Sequence, residues 1–528
     1  LTGADDIPLG TPVAGRGHPA TRSVIGMFTN TVVLRTRLSG DPTVAELLDH
    51  VKQVDLTALD HQLLPFQEVV DAVDPVRDVA RSPLFQTLVQ YRSPISTPDF
   101  AALTTRVLPV RADTAKFDLT VEFLEHGPGQ PISGRIEFSR DLFDDATVIR
   151  IADALTAMLT AMVADPGTRL SRLPLLTEAD RSALSRFNDT AAGVPDDVDL
   201  PALIAAAAAA HPGTSAVVDD STALTYSELI YAADTLAARL VGSGVGADDV
   251  VGVDLPRGVA LSVSVLAIMR AGAAYLPLDR DHPPARREFI LTDARPAAIV
   301  TDDDAFTGGE VPVVVVDAVG TPTTGGPTGT PPPAGALPTT RGAYLIYTSG
   351  STGTPKAVVV DHPAIVNRLL WMQHRFGLQP GERVLHKTPI GFDVSVWELF
   401  WPLICGATLA MAAPGAHREP AAIADALARH GITTVHFVPS LLRVFLAETT
   451  TELPDLRRIL CSGEALTAPL RDGVAQRFPH LHLHNLYGPT EAAVDVTEID
   501  VTGAAGPVVP IGAPVWNTGL HVLGRALD

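Results

Sequence analysis

The sequence predicts an α/β protein with mainly parallel sheets. Through much of its 528 residues, apolar runs of strand length alternate with amphipathic runs of helix length. Helix starts are marked by capping residues, and stops by Pro and Gly. Near the middle, a loop of small hydroxylated residues and glycines joins two apolar, β-prone runs. The length suggests roughly three or four domain-sized units. A hydrophobic content of 46% permits large cores and excludes global disorder. The net charge of −21 argues against a nucleic-acid partner, which needs clustered Lys and Arg. An anionic nucleotide can still bind locally.

The two cysteines, Cys405 and Cys461, lie in apolar surroundings and read as buried free thiols rather than a disulfide or metal site. No apolar run is expected to span a membrane, since Arg270 closes the best candidate, Val259–Met269. No basic-then-apolar N-terminus of the secretory kind is present. The expected location is cytoplasmic, without membrane contact. A chain starting at Leu1 and stopping at Asp528 reads as a piece of a longer protein.

Residues 1–165 mix helices and strands. Asp41-Pro42 is expected to open a helix with Val44, Leu47, Leu48 and Val51 on one face. Another follows Pro65, with Phe66, Val69, Val70 and Val73 as its stripe. Phe117–Phe123 alternates at period two, as a half-buried strand does. Asp144 caps a long helix ending near Asp165. His61 reads as a structural residue at a helix start. The linker is placed at 166–190, with Thr177 and Asp180 as a capping box inside it.

From 191 onward the alternation becomes regular. Asp199 starts an alanine-rich helix that His211-Pro212-Gly213 stops, and Thr225-x-x-Glu228 caps the next. Strands are expected at 250–255, 273–278 and 297–300, with helices near 259–269 and 286–291. Val319–Thr340 reads as a mobile surface excursion. It leads into strand Ala343–Tyr347, then the loop Thr348–Lys356, then strand Ala357–Val360. Gly350 and Gly353 free backbone N–H groups to face an anion, Thr348, Ser349, Ser351 and Thr352 add hydroxyl donors, and Lys356 adds charge. The loop suits phosphate. It is not the common G-x-x-x-x-G-K-[ST] loop, because Pro355 precedes the lysine and no Ser or Thr follows it.

Three more stretches carry chemical groups. Phe392–Glu398 sets Asp393 and Trp397 four apart, although Asp393 alone could be an ordinary helix cap. His436 lies in an apolar run and alone reads as a core histidine. Asn485–Glu491 closes a strand, and Thr490 and Glu491 offer hard oxygen ligands for Mg²⁺. His482 and His484 alternate with leucines, better read as an exposed strand face than as a metal site.

Several motifs resemble known families. Ile25–Thr31 with Arg35, His61-Gln62…Pro65-Phe66 with Val69, and Arg77-Asp78…Arg81–Phe85 are similar, in order, to motifs of condensation domains of nonribosomal peptide synthetases. The resemblance implies that 1–165 is part of a C-terminal condensation lobe, a mixed sheet with helices. The family's His-His-x-x-x-Asp-Gly motif would lie upstream, so this part is not expected to catalyse alone. Leu224–Leu229, Arg270–Asp279, the loop, Phe392–Glu398 and Asn485–Glu491 resemble five adenylation-domain motifs, in order, across 191–528. That implies the N-terminal core of an acyl-adenylate-forming enzyme, stacked α/β subdomains with mainly parallel sheets. An amino acid and ATP would give aminoacyl-AMP and pyrophosphate, and the phosphopantetheine thiol of a carrier domain outside this chain would accept the acyl group.

The resemblance also implies roles. Thr348, Ser349, Gly350, Ser351, Thr352, Gly353 and Lys356 would contact phosphate, and Gly463, Asn485, Tyr487, Gly488 and Thr490 the nucleotide. Glu491 would hold Mg²⁺, with Lys356, Thr490 and Glu491 as the catalytic set. Asp393, Val394, Trp397, His436, Leu460, Ser462, Leu486, Val494 and Asp495 would line the amino-acid pocket. Asp393 would pair with the substrate ammonium, and the set resembles one associated with L-serine, threonine being the nearest competitor. The family's ribose-binding aspartate and catalytic lysine would lie beyond Asp528. Two other readings are an acyl-CoA or aryl-acid synthetase and a non-catalytic scaffold that docks carrier domains. Asp393 speaks against the first, and the intact loop with Thr490-Glu491 against the second.

Overall fold

Helix starts follow the capping chemistry written in the sequence. The computed structural model describes residues 4–21, 23–75, 81–93, 114–195, 197–306, 309–331, 342–349 and 354–523. The chain divides into two compact units, 1–185 and 186–528.

The first unit contains β1 (Asp6–Val13), β2 (Asn30–Arg37), α1 (Val44–Asp60), α2 (Phe66–Val73), β3 (Thr87–Arg92), β4 (Leu119–Leu124), β5 (Ser133–Phe138) and α3 (Asp145–Ala164). Helix α4 (Glu178–Phe187) crosses the boundary. The sheet runs β2-β1-β3-β4-β5, parallel through β1, β3 and β4 and antiparallel at both edges. Thr43, not Asp41-Pro42, opens α1, through a capping box with Glu46. Asp41 takes a left-handed φ of 49° and accepts hydrogen bonds from the Ser171 N–H and hydroxyl. Of the expected stripe, Val44 is buried and Leu48 is exposed. His61 ends α1 rather than starting a helix, its Nδ1 2.9 Å from the Thr57 carbonyl.

Asn30 joins two of the quoted motifs. Its Nδ2 donates to the carbonyls of Gln62 and Leu64, and its Oδ1 accepts from the Phe66 N–H. Phe85, from the third motif, is buried with ring centroids 5.7 Å from Phe66 and 5.3 Å from Phe117. Arg77-Asp78 lies outside the described residues. Asp144 caps α3 as expected, donated to by the Thr147 N–H at 2.6 Å. With 20 residues and mean hydropathy 1.5, α3 is long and apolar enough to cross a membrane by length and composition. This corrects the expectation of no such run. Asp145, Arg150 and Asp153 interrupt the apolar pattern in sequence, yet the helix stays apolar on average.

The second unit continues with α5 (Leu200–Ala210), β6 (Ser215–Val218), β7 (Ala223–Thr225), α6 (Tyr226–Gly242), β8 (Val250–Asp254), α7 (Val259–Arg270) and β9 (Ala274–Pro277). Then come α8 (Pro284–Ala294), β10 (Ala298–Thr301), β11 (Val313–Val315), β12 (Gly342–Thr348), β13 (Lys356–Asp361), α9 (His362–Phe376) and β14 (Arg383–His386). The remainder is α10 (Val394–Ile404), β15 (Thr408–Met411), α11 (Pro420–Arg429), β16 (Thr434–Phe437), α12 (Pro439–Glu448), β17 (Arg458–Cys461), α13 (Ala468–Arg477), β18 (His482–Tyr487), β19 (Thr497–Asp500) and β20 (Ala513–Pro514).

One sheet runs β11-β10-β8-β9-β12-β13 and the other β20-β19-β18-β17-β16-β14-β15-β6-β7. Both are parallel inside; the larger is antiparallel at both edges, whereas the smaller is antiparallel only at β13, its β11 edge being parallel. Residues from both sheets and from α5, α6, α7, α9 and α10 form one core cluster. Helices α11–α13 cover the far face of the larger sheet, and α8 covers that of the smaller. The shared helical layer is why this region is one unit instead of the several that length suggested: neither sheet has a complete core without it.

The excursion after Val319 is not free along its described part. The Gly329 N–H donates to the Ala238 carbonyl on α6, and Val316 bridges Pro322. Residues 332–341 lie outside the described residues. Cys461 is buried, Cys405 is partly buried with its Sγ 2.9 Å from Gln373 Oε1, and both thiols are free.

Candidate active site

Strand periodicity aims the residues predicted for the pocket. On β16, Val435 and Phe437 join the outer cluster, so His436 between them points to the shared helical layer. On β17, Ile459 and Cys461 face out and Leu460 faces in; on β18, Leu483 faces out and Leu486 in. Helix α10 meets that inner face with Trp397, buried, its ring centroid 6.1 Å from that of His436. Val394, Trp397, Leu460, Leu486 and Val494 belong to a single cluster. Two polar residues of the predicted set pair: His436 Nε2 lies 3.1 Å from Ser462 Oγ. Burial, helped by the Lys387 ammonium, pushes His436 down to about 3, so its ring is neutral near pH 7.

Asp393 is the N-cap of α10, its Oδ1 accepting from the Val394 N–H at 2.8 Å. The cap reading of Asp393 therefore holds. Burial raises its carboxyl to about 6, the Asp495 charge adds to the rise, and hydrogen bonding from Thr490 opposes it. Asp495 is buried and ion-paired with buried Arg368 at 2.7 Å, so Oδ2 is already engaged. No ion pair to Asp393 occurs among the described residues. One half-buried carboxylate thus stands without a counter-charge.

Sequence reasoning missed the groups beneath this site. Glu398 is fully buried and accepts from the Lys387 N–H, the Thr388 N–H and the Thr388 hydroxyl at 3.1, 3.0 and 2.7 Å. His386 Nδ1 lies 3.0 Å away. Burial alone would raise the Glu398 carboxyl, but His386 and Lys387 outweigh it and hold it down at about 2. Glu398 thereby ties α10 to the turn that delivers Asp393. It ended the quoted Phe392–Glu398 motif, so its period was visible but its partners were not. Arg368 carried no signal, since on α9 it looks like an ordinary surface cation.

Strands β12 and β13 are antiparallel and pair Thr348 with Lys356, so both ends of the loop sit together. Ser349 and Lys356 are exposed, while Gly350, Ser351, Thr352 and Gly353 lie outside the described residues. The short turn Thr490–Ala492, which carries Glu491, packs on β13. Glu491 is exposed and forms no ion pair among the described residues, which fits a hard divalent cation. Asn485 Nδ2 donates to the Pro510 carbonyl, Tyr487 is half exposed, and Gly463 turns the chain after Ser462 with φ 84°. At Gly488 a Cβ would fall 2.4 Å from Asp495 Cα and 2.5 Å from the Val494 carbonyl, so the backbones touch there. Ala493 and Val494 have φ of 57° and 84°, rare for a β-branched residue, and the bend turns Val494 into the core.

The profile of the condensation domain matches residues 1–185, and that of the AMP-binding enzyme matches 204–527. Phosphinothricin tripeptide synthetase PhsB of Streptomyces viridochromogenes is 39% identical, covering 100% of this chain and 45% of its own. The crystal structure of holo-AB3403, a four-domain nonribosomal peptide synthetase bound to AMP and glycine, matches at 26% identity and a TM-score of 0.83, over 99% of this chain and 40% of that one. FmoA3, in its α-methyl-L-serine-AMP bound form, matches at 27% identity and 0.81, over 99% and 60%. Fold and site thus define an AMP-binding enzyme domain preceded by a condensation domain. The chain belongs to the nonribosomal peptide synthetases, and it spans less than two thirds of each of these relatives.

Proposed function

We propose that the second unit selects L-serine and activates it with ATP as seryl-AMP, for transfer to the phosphopantetheine of a carrier domain. The observation that carries this is Asp393, a half-buried carboxylate beside an already neutralised Asp495, lacking the counter-charge an α-ammonium would supply. A fatty or aryl acid would leave it unpaired. The neutral His436–Ser462 pair offers hydrogen bonding to a small hydroxyl, and Trp397, Leu460, Leu486 and Val494 limit the volume. Threonine, or another small polar amino acid, is the second reading, because one added methyl is weakly discriminated by an apolar wall.

In this reading the substrate carboxylate attacks the α-phosphate of ATP. Lys356, with Thr348, Ser349 and the loop residues Gly350–Gly353, would hold and orient the phosphates. Asn485, Tyr487, Gly488 and Gly463 would flank the nucleoside. Thr490 lies between the two jobs, hydrogen-bonded to Asp393 and adjacent to Glu491. Mg²⁺, when bound, would screen phosphate charge, and Glu491 would hold it. The ATP chemistry and carrier-domain partners suit a cytoplasmic setting, and we assign boundaries of 1–165, 166–190 and 191–528 to the two domains and their linker.

Titration of amino acids into the chain with a non-hydrolysable ATP analogue, paired with ATP–pyrophosphate exchange, tests this. L-Serine is expected to bind best, threonine next and alanine weakly. Equal binding of serine and alanine would overturn the pocket assignment. Preference for an aryl or fatty acid would overturn amino-acid activation, and absent nucleotide binding would favour the docking scaffold.

A further inference from the structure

We propose that His482, His484 and Asp500 form a site for a divalent transition metal of zinc's class, at the end of β18 remote from Tyr487. One ligand atom from each residue lies within 4.8 Å of the other two. His482 and His484 are two apart on one strand, so they share a face, and Asp500 comes from the neighbouring antiparallel strand β19, where it pairs with His484. The expectation of an exposed histidine face was half right: His482 is 60% exposed, whereas His484 is 5% exposed.

His482 Nδ1 lies 3.2 Å from Asp500 Oδ2. Two ligands of a tetrahedral zinc ion, with bonds of roughly 2.0–2.1 Å, are separated by about 3.3 Å, so this pair already has the required spacing. His484 contributes the orientation usual for a metal-bound imidazole. Its Nδ1 lies 2.7 Å from Glu498 Oε1, which leaves Nε2 as the free nitrogen, and Glu498 is itself held by Arg375 at 2.8 Å. The second Asp500 oxygen accepts from the Thr502 N–H, fixing that carboxylate.

These groups line a cleft of about 400 Å³ that also contains Arg375, Arg457 and Arg458. Those cations do not cancel the site. Arg375 is matched by Glu498, Arg458 by Glu382 at 2.5 Å, and Arg457, 65% exposed, reaches Glu382 at 3.5 Å. Two imidazoles and one carboxylate favour Zn²⁺ over Mg²⁺, which prefers all-oxygen ligands. This site is therefore distinct from the Glu491 position, in the turn beyond the other end of the same strand. A bound ion would clip β18 to β19 across the base of the hairpin whose tip carries Gly488 and Val494.

The test is calorimetric titration of ZnCl₂ into the tag-free chain, with melting followed in parallel. We compare His482→Ala with His480→Ala, an exposed histidine outside the cluster. One saturable Zn²⁺ per chain is expected, insensitive to excess Mg²⁺, raising the melting temperature by a few degrees. His482→Ala should weaken binding at least tenfold and abolish the melting shift, while His480→Ala should change neither. His482 is largely exposed, so its truncation leaves the core intact. No saturable binding, unchanged affinity in His482→Ala, or equal loss in His480→Ala would each overturn the proposal.

Discussion

In the proposed reading recognition turns on Asp393, where two effects act on one carboxyl. Burial and Asp495 push it up to about 6, and Thr490 with the helix start pulls it down. A raised folded-state value stabilises the fold below the unfolded carboxylate range, and that contribution is lost as pH rises through about 6. Asp393→Asn is therefore expected to flatten the stability profile between about pH 4 and 6, as thermal melts across that range would record. Substrate binding has the opposite sign. If Asp393 pairs with the ammonium as proposed, it must be ionised, so amino-acid affinity should fall by roughly tenfold per pH unit below about 6. Asp393→Ala should remove amino-acid-dependent pyrophosphate exchange while nucleotide binding persists; near-normal turnover would refute the pairing.

At the scale of elements, helix α10 and the strand β18 hairpin position what the residues do. Glu398 accepts three hydrogen bonds from Lys387 and Thr388, and Lys387 is buried with its ammonium over the Phe437 ring at 5.0 Å. Glu398→Ala would leave that cation uncompensated and two N–H groups unpaired, at a cost of about 3–5 kcal/mol. Urea unfolding should show the loss as a lower midpoint with unchanged slope. The pH sign also follows. Held down at about 2, Glu398 contributes stability above the unfolded glutamate range, and this fades as pH falls toward 2. Gly488→Ala tests the hairpin. Its Cβ meets backbone at Asp495 and Val494 rather than a pliable side chain, so a shift costing about 1–3 kcal/mol is expected. The KM for the amino acid should rise, since Val494 and Asp495 move with it.

At the scale of the whole molecule, the two units differ in how much they bury. Among the described residues, buried apolar side chains in the first are few, including Val13, Val44, Val70, Phe85 and Val121, whereas the second has three buried clusters. A small core leaves little margin over chain entropy. Scanning calorimetry should show two transitions, with the lower one absent from a chain beginning near residue 186. A single transition unaffected by that deletion would contradict separate cores.

Much of the architecture was legible because its signals are local. Caps at Thr177, Asp199 and Thr225, the alternation at Phe117–Phe123, and the paired strands around Thr348–Lys356 need no distant partner. The helix starts misread, at Asp41 and His61, have different causes: Asp41 is drawn away by the distant Ser171 while Thr43 caps the helix, and His61 binds back to the Thr57 carbonyl at the helix end. The motifs that resemble the peptide synthetases were legible for the same reason, being contiguous runs. What only the tertiary structure decided is who answers whom. Arg368 neutralising Asp495, Glu398 anchoring the turn before Asp393, His436 meeting Ser462, and His482 facing Asp500 all join residues 10–127 positions apart. Charge compensation and burial depend on those meetings. The order of residues determines which groups are available, and packing determines which of them remain unpaired and so free to bind.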